Sequence, residues 1–147
     1  MRRIPDGYSA RVSFVVSQEM TVHFDELGPG PDLYATYWMA KHMEEAGRKI
    51  ILPFLDEGED GVGRSVSVTH LAPAAPGTLV HVDARLERTD GNRVFASQTA
   101  TSASGKLLGE GTTEQVVLAK SRVEEMCRDA AGRAGVQSET GRSPNRS

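Results

Sequence analysis

Residues 32–52, DLYATYWMAKHMEEAGRKIIL, are the one long stretch of this 147-residue chain that reads as a buried helix, and from Gly63 onward the apolar pattern switches to a period of two. One helix and a run of strands leave few ways to bury both. Leu33, Met39, Met43, Ala46, Ile50 and Ile51 recur at three- and four-residue steps and form one broad apolar stripe. Asp32 follows a Pro-Gly-Pro loop and is placed to cap the first turn, while Pro53 disfavours helical geometry at Leu52. The pattern therefore predicts a helix over 32–52.

Before it, Val12, Phe14 and Val16 alternate with Arg11, Ser13 and Val15 as a first strand. Residues 18–27 are ambiguous, with room for one helical turn, and Gly28-Pro29-Gly30-Pro31 reads as a loop. After the helix, residues 63–71 put Val66, Val68 and His70 on one strand face, so the His70 imidazole points inward. Residues 78–88 turn Val80, Val82, Ala84 and Leu86 inward and His81, Asp83, Arg85 and Glu87 outward. Asp90-Gly91-Asn92 is a tight hairpin signal, residues 93–102 are its return strand, and 107–118 are the last strand. Residues 120–131 suit a short terminal helix with Val123, Met126 and Cys127 on its apolar side. Residues 132–147, poor in aliphatics and rich in Gly, Ser and Arg, read as a disordered tail.

A strand, one long helix and then sequential antiparallel strands is an α+β order with a single domain over residues 1–131. One helix packed on the concave face of an antiparallel sheet is the hotdog fold. Its exposed sheet edge and helix flank call for a homodimer.

Composition removes several functions. A net charge of −3 with no basic run flanked by aromatics argues against nucleic acid. The lone Cys127 can form no intrachain disulfide, which fits a reducing cytoplasm. Asp-Gly-Tyr-Ser follows the N-terminal arginines where a signal peptide needs apolar residues, and no apolar run approaches the roughly 18 residues of a membrane span. Neither a metal-ligand cluster nor a phosphate loop is present in the pattern, so no metal and no cofactor is expected.

Three polar residues stand out against this background. Glu44 sits within the apolar helix, either as a partly desolvated, reactive carboxylate or as the partner of Arg48 four residues on. His70 points inward where a strand runs out into a Pro-containing loop, as a hydrogen-bonded core residue or as a catalyst. Thr36 either bonds back to a backbone carbonyl or offers its hydroxyl to a substrate. Thr36 and Glu44, eight residues apart, stand about 12 Å apart along a regular helix and cannot touch. Either Thr36 folds back before the helix, or a neighbouring subunit completes the site. His23, His42 and His81 read as structural or solvated.

These residues carry a resemblance. TYWMAKHME, with Thr36 and Glu44 eight apart, and GRSVSVTHLAPAAPG, with Gly63 seven residues before His70, make residues 36–118 similar to the fluoroacetyl-CoA thioesterase family of hotdog proteins. The resemblance implies an acyl thioester hydrolase acting on acyl-CoA or an acyl-carrier protein, in a setting of detoxification or secondary metabolism. It makes Thr36, Glu44 and His70 catalytic and puts Gly63 in the substrate pocket; Tyr34, Tyr37 and Trp38 either line its mouth in place of the family's apolar lid or serve as packing. Glu44 would attack the carbonyl or activate water, His70 would move the proton to the departing sulfur, and the Gly63 N–H would face the carbonyl oxygen. The segment VHFDELGPGPDLYA is shorter than its counterpart and lacks the pair of phenylalanines of the fluoroacetate enzyme's lid, so no preference for a fluorinated acyl group follows. A noncatalytic acyl-CoA-binding hotdog protein and an enoyl-thioester hydratase are the alternatives.

Overall fold

The computed structural model describes the backbone of residues 1–142 and the side chains of residues 1–134. Strand β1 (Ser9–Val15) leads through a single 3-10 turn (Gln18–Met20) into β2 (Thr21–Phe24) and β3 (Gly28–Tyr34), and then into helix α1 (Thr36–Ile51). Four strands follow, β4 (Glu59–His70), β5 (Leu79–Asp90), β6 (Arg93–Ser102) and β7 (Leu107–Ala119), before a terminal helix α2 (Lys120–Arg142). The main sheet has the order β1-β5-β6-β7-β4 and is antiparallel throughout, with α1 lying against its concave face. This is the hotdog arrangement that the element order anticipates. Among the described residues no helix is long and apolar enough to cross a membrane.

The core forms where the two periodicities meet. Met39, Met43, Ala46, Ile50 and Ile51 of α1 are fully buried against Val80, Val82 and Ala84 of β5, which alternate with residues on the far face as expected. Each large side chain so buried contributes about 1.5–3 kcal/mol. The helix approaches the sheet closely because Gly47 carries no side chain. A Cβ there would fall onto the Thr113 hydroxyl, which accepts a 2.6 Å hydrogen bond from buried Gln98 Nε2.

Several local readings are corrected. The helix starts at Thr36 and not at Asp32, since residues 28–34 are strand: β3 pairs with β2 in a separate two-stranded ribbon, from Thr21 opposite Tyr34 to Phe24 opposite Gly28. Pro29 and Pro31 argue against a strand, but β3 has a neighbour on one side only, so the missing N–H groups break no second ladder. Leu33 accordingly leaves the helical stripe and stands 38% exposed on the ribbon. Ala35 occupies the cap position without a side-chain bond, while Asp32 instead accepts from Gln18 Nε2.

At the other end, the chain passes from Ile51 into a 3-10 turn (Leu52–Phe54) that tolerates Pro53 in its first turn. The terminal helix does not stop at Ala131 but continues through Gly132 to Arg142, an interior glycine costing only about 1 kcal/mol against alanine. Of the tail expected over 132–147, residues 143–147 lie outside the described residues.

Candidate active site

Thr36 opens α1 and His70 closes β4, and the antiparallel run of helix against strand brings the two ends together. Thr36 Oγ1 and His70 Nδ1 share a 3.0 Å hydrogen bond. As the first helical residue Thr36 bonds the imidazole, a partner that neither reading of its hydroxyl named. The other ring nitrogen, His70 Nε2, is buried with no partner. An unpaired buried polar atom costs about 1–3 kcal/mol, and folds keep few of them.

The pair opens on a cavity of about 340 Å³ whose other walls are Val22, Pro31, Leu33, Tyr34, Leu71, Ala72 and Pro73. No charged side chain lines it. The residues of β3 divide between two spaces: Pro31 and Leu33 face this cavity, whereas Pro29, Gly30 and Asp32 line a second one of about 550 Å³ bounded by Tyr37 and Trp38. The β2–β3 ribbon is thus a partition. Tyr37 and Trp38, expected at the mouth of the site, lie on its other side. Tyr37 fastens the ribbon to the helix, its hydroxyl accepting from the His23 N–H at 2.9 Å and donating to the His23 carbonyl at 2.7 Å. Trp38 is covered by Lys41, whose Nζ stands 4.2 Å from the ring centroid.

Glu44 is elsewhere. It lies two turns along α1 against Gly63, where a Cβ would come within 2.8 Å of Glu44 Oε1. Both residues are solvent-exposed in the single chain, so the half-buried setting expected for Glu44 is not found. Neither is the pairing with Arg48, whose guanidinium donates to the Gly61 carbonyl at 2.7 Å and to Asp60 at 2.8 Å. Asp60 is held below the usual carboxylate range by the Gly61 N–H and by Arg48.

That Gly63 faces the helix at all requires a bulge. Seven residues separate it from His70, an odd step that in a regular strand would put the two on opposite faces. The register against β7 shifts between Gly63 and Ser65, leaving Arg64 as the extra residue, and both Gly63 and His70 turn inward.

Of the remaining histidines, His81 shares a 2.7 Å hydrogen bond with Ser13 on the convex face, and His23 is exposed. His42 is buried at 6% exposure, its Nδ1 2.6 Å from the Tyr34 hydroxyl. Sequence reasoning missed that bond because Tyr34 precedes the helix and folds back over its first turns. The available signal was a histidine on the edge of an apolar stripe, which needs a polar partner when buried.

A long helix cradled by a curled five-stranded sheet, with a hydroxyl–imidazole pair at one end, defines a hotdog protein of the thioesterase superfamily. Residues 16–121 match the family model described as fluoroacetyl-CoA-specific thioesterase. The chain belongs to that family. It is 33% identical over 110 residues to the fluoroacetyl-CoA thioesterase of Streptantibioticus cattleyicolor, covering 71% of this chain and 78% of the relative. Among solved structures, a hypothetical protein of Thermus thermophilus, a thioesterase superfamily member, superposes with a TM-score of 0.90 at 56% identity, covering 92% of this chain and 99% of that one. A structure of the fluoroacetyl-CoA thioesterase itself gives a TM-score of 0.79 at 29% identity, over 86% and 97% of the two chains.

Proposed function

We propose that the protein hydrolyses the thioester of a small, uncharged, apolar acyl-CoA at sites shared between two copies of the chain. The observation that carries this reading is the Thr36–His70 pair at 3.0 Å, opening on an apolar cavity. At about 340 Å³ the cavity lies at the small end of ligand pockets, which suits a small acyl group. The absence of a charged wall disfavours dicarboxylic acyl groups. Structures of point mutants of the related fluoroacetyl-CoA thioesterase in complex with acetyl-CoA, and with fluoroacetate and CoA, support CoA as the carrier.

The second copy supplies the carboxylate. Strand β4 is the long outer edge of the main sheet, and its N–H and C=O groups are free on one side. Antiparallel pairing of two β4 edges about a two-fold axis at Ser67 sets Val66 opposite the partner's Val68. The bulge at Arg64 removes one step, so Gly63 comes opposite the partner's His70. Glu44, standing on Gly63, then faces the partner's Thr36 and His70, and the symmetric dimer contains two such sites.

In this arrangement Glu44 delivers oxygen to the thioester carbonyl, directly or through a water it deprotonates, and the Gly63 N–H meets the developing oxyanion. His70 donates its Nδ1 proton to Thr36, and its Nε2 lone pair takes the proton that the consumed water releases, directly or by way of Glu44, and hands it to the thiolate sulfur. One water is consumed, giving a carboxylic acid and a free thiol.

Thiol release from a panel of acyl-CoAs is the test. Short apolar acyl groups should turn over, with Glu44→Gln and His70→Ala lowering kcat at least about tenfold in dimers that stay folded. Saturable binding without thiol release from any thioester would make the protein a binding module instead. Loss of the conjugated double bond without thiol release would make it a hydratase.

A further inference from the structure

The buried histidine of α1 has no part in the hydrolysis described above, yet it lies one side chain away from it. Aromatic rings enclose His42: Phe14 stacks on it at 3.7 Å between centroids, and Trp38 and Tyr34 stand at 5.7 and 5.8 Å. Burial, helped by the neighbouring Lys41 charge, pushes its imidazole down to about 4, and burial pushes the Tyr34 phenol up. At neutral pH the histidine is uncharged and the tyrosine protonated, and the Tyr34 hydroxyl has no other hydrogen-bond partner among the described residues, so the 2.6 Å bond is assigned from that hydroxyl to His42 Nδ1.

Tyr34 is shared between this cluster and the candidate active site. Its backbone N–H donates to the Ala74 carbonyl at 2.8 Å, which anchors it at the cavity wall. Its ring meets the His70 ring edge-on at 6.0 Å. Of the two ring nitrogens of His70, Nδ1 is engaged by Thr36 and Nε2 has no partner. A buried phenol deprived of its acceptor is left with an unsatisfied donor and is driven to find another acceptor. The unpartnered nitrogen on the adjacent ring is the acceptor at hand.

We infer that His42 is a positioning residue: by accepting the Tyr34 hydroxyl it holds that phenol away from His70 and keeps His70 Nε2 free to handle the proton of the reaction. The inference rests on the reading of His70 as the acid–base group. Without His42, the Tyr34 O–H donates to Nε2 and occupies the lone pair that the sulfur's proton must use. The effect falls on turnover more than on substrate binding, because Tyr34, itself a cavity wall, stays anchored through its backbone N–H on Ala74 and the other walls are unchanged.

The distinguishing experiment is a set of full-length variants followed by thiol release and by 15N imidazole NMR. His42→Leu should lower kcat by about tenfold or more with KM within about twofold of wild type. His42→Asn, which keeps an acceptor near the position of Nδ1, should stay within about threefold of wild type. Tyr34→Phe/His42→Leu, which has no hydroxyl to redirect, should recover to within about threefold of Tyr34→Phe alone. In the spectra, the His70 Nε2 resonance should move to the position of a hydrogen-bonded acceptor in His42→Leu and return in the double variant. His42→Met serves as the acceptor-free variant if His42→Leu does not fold.

Equal loss in His42→Leu and in the double variant would reduce His42 to packing and overturn the inference, as would an unmoved His70 resonance in His42→Leu. The spectra need no turnover. A wild-type protein that hydrolyses no thioester would sink the proposed function while this arm still decides the role of His42.

Discussion

Replacing Gly63 by alanine separates the candidate site from the fold in one methyl group. The added Cβ would stand 2.8 Å from Glu44 Oε1 and 3.3 Å from Glu44 Cδ, and reaching ordinary contact at 3.4 Å requires the carboxylate to move by about 0.6 Å. Gly63 has no positive φ, so the backbone accepts alanine without strain. The atoms in the way belong to the far end of a flexible, exposed side chain. Alanine also restricts the unfolded chain, worth about 0.4–1 kcal/mol at a compatible position. Stability should therefore be unchanged or slightly raised. A misplacement of about 1 Å at reacting atoms costs on the order of a hundredfold, so a shift of this size should cost about tenfold in kcat. Gly109→Ala is the control, since its Cβ would meet the Met39 sulfur in the core and the Thr69 carbonyl at 3.0 Å. Overpacking of that kind costs about 1–3 kcal/mol and should lower Tm by several degrees. Calorimetry and thiol release at one fixed protomer concentration read both quantities. A Gly63→Ala protein with wild-type turnover would refute the placement of Glu44 at the reacting centre.

Other outcomes follow from the same contacts. His42 is held down to about 4 from an ordinary 6.5, so its contribution to stability is complete above pH 6.5 and is lost as pH falls toward 4. The loss amounts to at most about 3 kcal/mol, and a Tm series over that window should flatten in His42→Asn. Arg93 holds the Glu114 carboxyl below its ordinary 4.5, so stability from that pair is present above pH 4.5 and lost on further acidification; Glu114→Gln should remove that acid-side slope. Tyr37→Phe removes both bonds to the His23 backbone and should speed amide exchange at His23 by about tenfold, leaving exchange in α1 unchanged. Leu71→Arg places a cation on the cavity wall; kcat/KM should fall for butyryl-CoA and rise for succinyl-CoA, and an unchanged ratio would remove this cavity as the acyl site.

Much of this architecture is legible in the residues because burial and periodicity coincide. Met39, Met43, Ala46 and Ile50 fall at helical steps and are all buried, and Val80, Val82 and Ala84 alternate and are all buried. The inward face of His70 follows from the same alternation. What could not be read depends on interactions that a local pattern does not encode. The β3 strand hides behind two prolines that an unshared edge tolerates. Gly63 and His70 face one side only because Arg64 is bulged, and an odd spacing gives no hint of that. The setting of Glu44 is invisible for another reason: its carboxylate stands on a glycine at the free edge of β4, and no pattern within the chain says what covers that edge.

The division of the site between two chains is therefore the claim to measure. Glu44→Gln and His70→Ala protein, each nearly inactive alone, can be unfolded together, refolded as a mixture and assayed for thiol release. If Glu44 serves the partner's His70, each mixed dimer carries one intact site, and about a quarter of wild-type activity should appear in the equimolar mixture. A mixture that stays as inactive as its components, with mixed dimers demonstrated by mass, would contradict it.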